Sequence, residues 1–434
     1  MNFIEKPFQL IFMFVFGFLA LLGLLLFANF RGTPGTAAVG NVTIWGTLPE
    51  YAMTQQLNAL KKAEKEYGSV SYEQKSPETF GADLAEALAS NVGPDLVLIS
   101  QEELVSQQNK LSVIPFSTIS ERSYLDSFVP ITELYLTDKG TYGIPLVVDP
   151  LVLFYNRTLL SSNGVPVPPA SWEAVTGLAE RLTQKNNGQV VKSAVALGEY
   201  ANITNARAII SLLLLQSGTK ISEADGTTIR SVMTQSSTVG LYGINPAESA
   251  LSFYTQFADP AKTVYSWNRA LPESRQAFLS GDLALYIGFA SEVTALQAGN
   301  PNLDFDMARI PQPQTSTTRT TYGLAYAFAI PKASKNPAGA LASAQALTTR
   351  EGVAPAILGL GMAPALRALL ASSAPDNRYQ PIYFPEALTA KGWLSPSPSA
   401  TDNIFSVMIG NITTGRKGIG QALTTADQAI DSAY

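Results

Sequence analysis

The chain has 434 residues, 46% hydrophobic and 15% charged, with a formal net charge of -5, which excludes a disordered chain and argues against a protein that holds nucleic acid by neutralising phosphates. It contains 0 Cys and 0 His, so disulfides, thiol nucleophiles, iron-sulfur clusters, Ser-His-Asp triads and Cys- or His-ligated metals are excluded together. Any acid/base chemistry falls to carboxylates, Lys or Tyr, and at about 150 residues per domain the length predicts two or three domains.

From Leu10 to Ala28 no charged or strongly polar side chain interrupts the chain, and Lys6 and Arg31 flank the run. Such a run spans about 30 Å as a helix. It exceeds the apolar stretch of about 7 to 15 residues typical of a cleavable secretory signal, and therefore predicts one uncleaved N-terminal transmembrane helix. That helix is a single-pass anchor in the cell membrane. Without Cys no lipid can take its place. The flanking charges nearly balance and leave orientation open. The segment from Arg31 to Gly40 is rich in Gly, Ala, Thr and Pro and reads as a flexible tether, so residues 1–40 form anchor and tether.

Beyond it, Val42 to Trp45 is a short apolar run, Pro49 opens a helix carrying Met53, Leu57 and Leu60, and Val70 and Tyr72 alternate with polar residues. Pro77 to Asn91 is helical in composition, and Asp95 to Ile99 reads as a buried strand. Strands alternating with helices predict a parallel sheet covered on both faces, with ligands at the carboxyl ends of the strands. The loops after Trp45 and Ile99 are the first such places. Ile144 to Tyr155 is a further apolar run, Ser171 caps a helix to Thr183, and Ala206 to Leu215 is an apolar helix. Asn245-Pro246 opens another helix, Leu283 to Ile287, Phe305 to Ile310 and Ala325 to Ile330 read as strands, and the last stretch is largely helical, ending with Ile419 to Ser432.

The segment from Tyr142 to Asn156, YGIPLVVDPLVLFYN, resembles the hinge-crossing segment of extracellular solute-binding proteins of ABC importers, in the class that includes maltose-binding protein. Four more pieces follow in family order: VPPASWEAVTGLAERLT, AFLSGDLALYIGFASE, YGLAYAFAIPKAS and NITTGRKGIGQAL. The resemblance implies an α/β, two-lobed periplasmic-binding-protein fold of the Venus-flytrap kind. It places the N-lobe at residues 41–145 plus 311–350 and the C-lobe at 146–310 plus 351–434. It implies a receptor that binds a small solute, most simply a carbohydrate, outside the cytoplasm and hands it to an ABC permease driven by a separate ATPase. No cofactor or metal is implied. Neither a second apolar span nor a GxxxxGK[ST] phosphate loop occurs in the sequence, and GRKGIG at Gly415 to Gly420 lacks the terminal Lys-Ser/Thr.

Cleft residues follow from the same resemblance. Trp45 and Thr47 fall in its first ligand loop, where Trp45 either covers a sugar face or packs under the helix at Tyr51. Thr47 and Glu50 replace charged residues there, which speaks against maltodextrin itself. Gln101, with Glu102, follows the strand DLVLI and is either a ligand contact or an ordinary helix start capped by Ser100. Asp149 lies in an apolar run, where an unpaired carboxylate is costly; it is a ligand-binding carboxylate or a partner for a backbone N-H. Tyr200 and Asn202 lie in the loop before an apolar helix, where Asn202 and Asn205 also fit as caps. Trp267 and Asn268 sit in a polar loop that invites stacking. Phe289 and Ser291 follow the strand LALYI, with Ser291 where the family has a stacking Trp, and Asp402 and Asn403 match the last ligand-facing helix start. Trp172, at a helix start, is structural.

A second class of function is a carbohydrate-active enzyme using paired carboxylates such as Asp149 and Glu199 across one bond. The sequence carries no catalytic motif, and binding is the preferred reading over catalysis.

Overall fold

The computed structural model describes residues 39–226, 228–235, 245–371 and 377–434. The expected transmembrane helix at Leu10 to Ala28 lies outside the described residues; among those described, no helix is long and apolar enough to cross a membrane.

The strands that matter below are β1 (Val42–Gly46), β2 (Val70–Gln74), β3 (Leu96–Ser100), β4 (Ile144–Asn156), β5 (Gln184–Asn186), β6 (Gln189–Val195), β7 (Ser222–Asp225), β8 (Thr228–Ser231), β9 (Leu283–Phe289), β10 (Phe305–Ala308), β11 (Thr321–Ala329), β12 (Ala363–Pro364) and β13 (Ala390–Lys391); a short pair, Ile114–Pro115 with Gly140–Thr141, stands apart. The helices that matter below are α1 (Glu50–Ala63), α2 (Phe80–Ala89), α3 (Gln101–Gln107), α4 (Trp172–Leu182), α5 (Ala206–Gln216), α6 (Pro246–Thr255), α7 (Glu292–Gly299), α8 (Arg350–Leu360), α9 (Gln380–Thr389), α10 (Pro398–Thr413) and α11 (Ile419–Asp431).

The expected βα alternation is present. β1 pairs in parallel with β2 and β3, and all of β3 is buried, as a strand covered on both faces must be. α1 buries Ala52, Met53, Gln56, Leu57 and Leu60, a stripe at helical spacing that is apolar except for Gln56. The predicted caps form: Ser171 Oγ accepts from Ala174 N at 3.2 Å and Asn245 Oδ1 from Ala247 N at 2.8 Å, each satisfying one free N-H of a first turn.

The strand order is β2-β1-β3-β11-β4-β9-β6-β5, with β10 and β12 also on β4 and β13 on β11. β4 therefore serves two lobes. Its first part, through Pro150, pairs with β11; from Leu151 onward it pairs with β9, and from Leu153 with β10. Pro150 has no N-H to give to either ladder, and its carbonyl accepts from Ala290 N at 3.0 Å. The change of lobe thus falls at Pro150 rather than at the expected boundary between residues 145 and 146. Among the described residues the chain crosses twice more, between β10 and β11 and between β13 and α10.

A second departure concerns residues 351–391, expected in the C-lobe. α8 packs on α1, where Gln56 Nε2 donates to Leu347 O and Gly352 O, each at 2.9 Å. A Cβ on Gly359 would lie 2.7 Å from Ala52 Cβ, so glycine is what permits the close crossing. β12 pairs with Val147 and Val148 in the first part of β4, and β13 pairs with β11. This stretch completes the N-lobe, and only α10 and α11 return to the C-lobe. Sequence order alone could not show it, because the partners of this stretch, in α1, β4 and β11, are distant in the chain.

Candidate functional site

A cavity of about 510 Å³ lies between the lobes. Glu102 and Leu324 reach it from the N-lobe; Tyr200, Arg207, Phe289 and Asp402 from the C-lobe. Thr204, Asn205, Glu273 and Ser406 add polar groups.

Glu102 occupies the first turn of α3, which begins directly after β3 and carries a capping box between Ser100 and Glu103. This fixes the carboxylate rigidly, at a helix end whose dipole favours negative charge. One oxygen accepts from the Tyr322 hydroxyl and the other from Arg207 Nη2 at 2.8 Å. Arg207, in the first turn of α5, also donates through Nη1 to Pro398 O at 3.0 Å and lies 3.6 Å from Asp402 Oδ1. The Tyr200 hydroxyl donates to the same Asp402 oxygen at 2.6 Å. A polar chain Tyr322, Glu102, Arg207, Asp402, Tyr200 thus crosses from lobe to lobe. Burial first, and the bond to Asp402 next, push the Tyr200 phenol well above its ordinary range, so it remains a donor at neutral pH.

Behind this wall sits Glu292, at the start of α7. It accepts from Asn205 Nδ2 at 2.7 Å, Phe289 N at 2.8 Å and the Tyr286 hydroxyl at 2.5 Å, and it pairs with Arg275 at 3.0 Å. Asn205 and Phe289 are thereby held in place. A Cβ on Gly288 would lie 2.9 Å from Glu292 Oε1, so glycine is needed for that approach.

Of the residues nominated by sequence, Tyr200, Phe289 and Asp402 line the cavity. Others spend their polar atoms elsewhere. Gln101 is buried and bonds the backbone of β11 at both ends of its amide, donating to Gly323 O at 3.0 Å and accepting from Ala325 N at 2.7 Å. Asp149, 3% exposed, accepts from Ser291 N at 3.1 Å and from Ser291 Oγ at 2.5 Å; the two residues tie the lobe change in β4 to the turn after β9. Burial, opposed by those two bonds, pushes the Asp149 carboxyl up to about 7.

Trp267 is 1% exposed, with Nε1 donating to Asn202 Oδ1 at 3.1 Å; a ring so enclosed offers no face for stacking. Asn202 Nδ2 in turn holds Asn268 O at 2.9 Å and Leu271 O at 3.0 Å, and Asn268 Nδ2 donates to Tyr265 at 2.8 Å. The loop is braced from within. Asn403 is exposed, one position past Asp402, and does not line the cavity. Trp45 and Thr47, both half-buried, are also outside its wall. Lys75 Nζ sits 3.7 Å over the Trp45 ring, and the indole Nε1 is buried without a hydrogen-bond partner. Trp172, expected to be structural, is buried, and its Nε1 donates to Gln216 Oε1 at 2.6 Å. Glu199, proposed as half of a catalytic pair, is bound by Arg269 at 3.3 and 3.2 Å; neither it nor Asp149 lines the cavity. Among the described residues no group of acidic side chains is arranged to hold a metal.

The chain matches the bacterial extracellular solute-binding protein family over residues 47–354. It belongs to that family. Solved structures similar to this solute-binding protein include a cyclic alpha-maltosyl-1,6-maltose binding protein from Arthrobacter globiformis, 16% identical, with 91% of this chain and 98% of that one covered and a TM-score of 0.74. A cyclo/maltodextrin-binding protein complexed with maltotetraose is 17% identical, with 92% and 98% covered and a TM-score of 0.70. An ABC transporter solute-binding protein from Thermotoga lettingae, bound with alpha-D-tagatose, is 19% identical, with 91% and 99% covered and a TM-score of 0.66. Curated relatives from Brucella abortus and Brucella suis carry the provisional name of binding protein and are 23% identical over 203 residues, so the chain spans 44% of their length. The two-lobed α/β fold and the family's place outside the cytoplasm follow for this solute-binding protein.

Arg207 and Glu273 escaped the sequence reading, and Glu102 entered it only beside Gln101. A signal for Arg207 existed: it is the one charged residue in ARAIISLLLLQ, and a lone charge on so apolar a helix needs a partner. Gln101 and Glu102 are separated by about 100° around a helix, which turns the first toward β11 and the second toward the cavity.

Proposed function

We propose that this protein is a receptor that binds a small carbohydrate between its lobes and presents it to an ABC import permease powered by a separate ATPase. The observation that carries this is the cavity of about 510 Å³ walled by both lobes, a size suited to a small ligand. Its chemistry fits a hydroxylated ring. Glu102, Asp402, Glu273 and Asn205 offer acceptors to hydroxyl groups, while Tyr200 and Phe289 offer ring faces to C-H surfaces. No Trp lies in this wall, which favours a shorter sugar over a long stacked oligosaccharide. The neighbours solved with maltotetraose and alpha-D-tagatose support the solute class.

Thermal unfolding with monosaccharides, disaccharides, short oligosaccharides and polyols tests the reading. A true ligand at 100 times its dissociation constant should stabilise the fold by about 2.7 kcal/mol. If amino acids or peptides shift the midpoint and no sugar or polyol does, the carbohydrate assignment fails.

The proposal includes the membrane anchor at Leu10 to Ala28, with the lobes outside the cytoplasm. Its support is the length of the apolar run. Folding should not need it: Val39, the first of the described residues, is already tied down, its N donating to Glu66 O at 3.2 Å and its carbonyl accepting from Asn336 Nδ2 at 2.8 Å. A chain beginning at residue 39 is expected to be soluble and monomeric with an unchanged circular dichroism spectrum. Aggregation of that chain would place the apolar segment in the core.

A further inference from the structure

We infer that Arg207 is the positioning residue of the cleft: by bridging Glu102 of the N-lobe to Asp402 of the C-lobe, it sets how closely the two lobes stand. The inference rests on the two-lobed cleft described above and deepens the reading of the same site, but its test needs no solute, so it can fail while the carbohydrate assignment survives, and the reverse.

Both ends of the bridge are stiff. Glu102 has no intervening loop between it and β3, and the Tyr322 hydroxyl from β11 fixes its second oxygen. Arg207 stands on α5, in which Ile209, Ile210, Leu212, Leu213 and Leu214 are buried, and Pro398 O holds the guanidinium at 3.0 Å. Movement of one lobe against the other therefore acts on the 2.8 Å contact between them, because neither side chain has slack to follow.

The electrostatics point the same way. The Glu102 side chain is 4% exposed and that of Arg207 26%, so the pair is shielded from solvent and water screens it poorly. Asp402, at 3.6 Å and half exposed, adds a second attraction from the C-lobe side. Burial alone would weaken the proton on Arg207; Glu102, Tyr322, Tyr200 and Asp402 more than offset it, and the guanidinium stays charged. Removing Arg207 leaves the buried Glu102 carboxylate with the Tyr322 hydroxyl alone, and removing Glu102 leaves Arg207 with no charge from the N-lobe, only Asp402 and Pro398 O on its own side. An outward rotation that hydrates the orphan then becomes the favoured response.

The chain has 0 Cys, so spin labels can be placed without background. Tyr51→Cys on α1, at a site 70% exposed, and Val407→Cys on α10, at a site 52% exposed, report the separation of the lobes by pulsed dipolar spectroscopy on the otherwise complete soluble chain. The expected result is a shift of the distance distribution to longer values in Glu102→Gln and in Arg207→Gln. Arg207→Lys, which keeps the charge, should bring it back toward the original. Circular dichroism and the unfolding midpoint identify any variant that fails to fold. If Glu102→Gln is lost in this way, Arg207→Gln decides, since its side chain is the more exposed of the two. An unchanged distribution in a folded Arg207→Gln overturns the inference. So does a shift seen in Arg207→Gln but absent in a folded Glu102→Gln, because Arg207 would then act within the C-lobe alone.

Discussion

Asp149→Asn is expected to gain about 3 kcal/mol of stability relative to the unsubstituted protein between pH 5 and pH 8. Burial is the largest influence on this carboxyl and pushes it from 3.8 to about 7. Between the unfolded and folded values the native state holds a proton that the unfolded chain has released, so stability falls as pH rises, by about 1.4 kcal/mol per unit, and levels off above the folded pKa. Asn cannot titrate, yet its carbonyl oxygen can still accept from Ser291 N. Glu292 beside the site, with the phenols of Tyr326 and Tyr383 that sense Asp149, is common to both proteins and largely cancels in the difference. Urea unfolding of the pair at four pH values from 5 to 8 measures it. A difference that does not change with pH would mean that Asp149 is ionised in the fold throughout.

Glu386→Ala is expected to cost about 3 to 5 kcal/mol, and Glu386→Gln less. Glu386, on α9 of the N-lobe, has a fully buried side chain and accepts on one oxygen from Arg309 Nε and, at 3.3 Å, from Arg319 Nη2. Both arginines belong to the crossing between β10 and β11, and Arg319 also donates to Ile310 O at 2.8 Å. Burial raises the Glu386 carboxyl and the two guanidinium groups oppose that rise. Alanine would leave two cations against a crossing strand with nothing between them. Their side chains are 39% and 33% exposed, so part of the loss is recovered by hydration, and the lower end of the range is the better expectation. Denaturant titration gives the stability. A loss under about 1 kcal/mol would show that the arginines reach water unaided.

The order of elements was legible because its causes are local: Ser171 and Asn245 announce helix starts by their own side chains, and β3 announces a double-sided sheet by having no polar residue before Ser100. The site was less legible because it depends on direction. Gln101 and Glu102 are adjacent and equally polar, yet one amide closes the backbone of β11 and the neighbouring carboxylate faces the cavity. Trp267 looked exposed because Tyr265, Ser266 and Asn268 surround it in sequence, but what covers it comes from elsewhere, including Asn202, 65 residues away. Arg207 was hidden by the opposite illusion, an apolar helix whose one charge faces the other lobe. In each case the deciding partner is distant in the chain, and no local pattern names it.

The late return of the chain to the N-lobe also bears on the order in which the protein can be made. β3 cannot be enclosed until β11 has been synthesised, and Gln56 meets Gly352 across 296 residues. β13, at residues 390–391, closes the same sheet. A ribosome releasing the chain from its N-terminus therefore produces most of it before the first lobe has a complete core, and the loop-closure entropy of such distant pairs delays folding further. The sheet of the N-lobe therefore stays incomplete while the chain is still being delivered. For a receptor proposed to work outside the cytoplasm, this interleaving postpones the folded state until nearly the whole polypeptide has had time to cross.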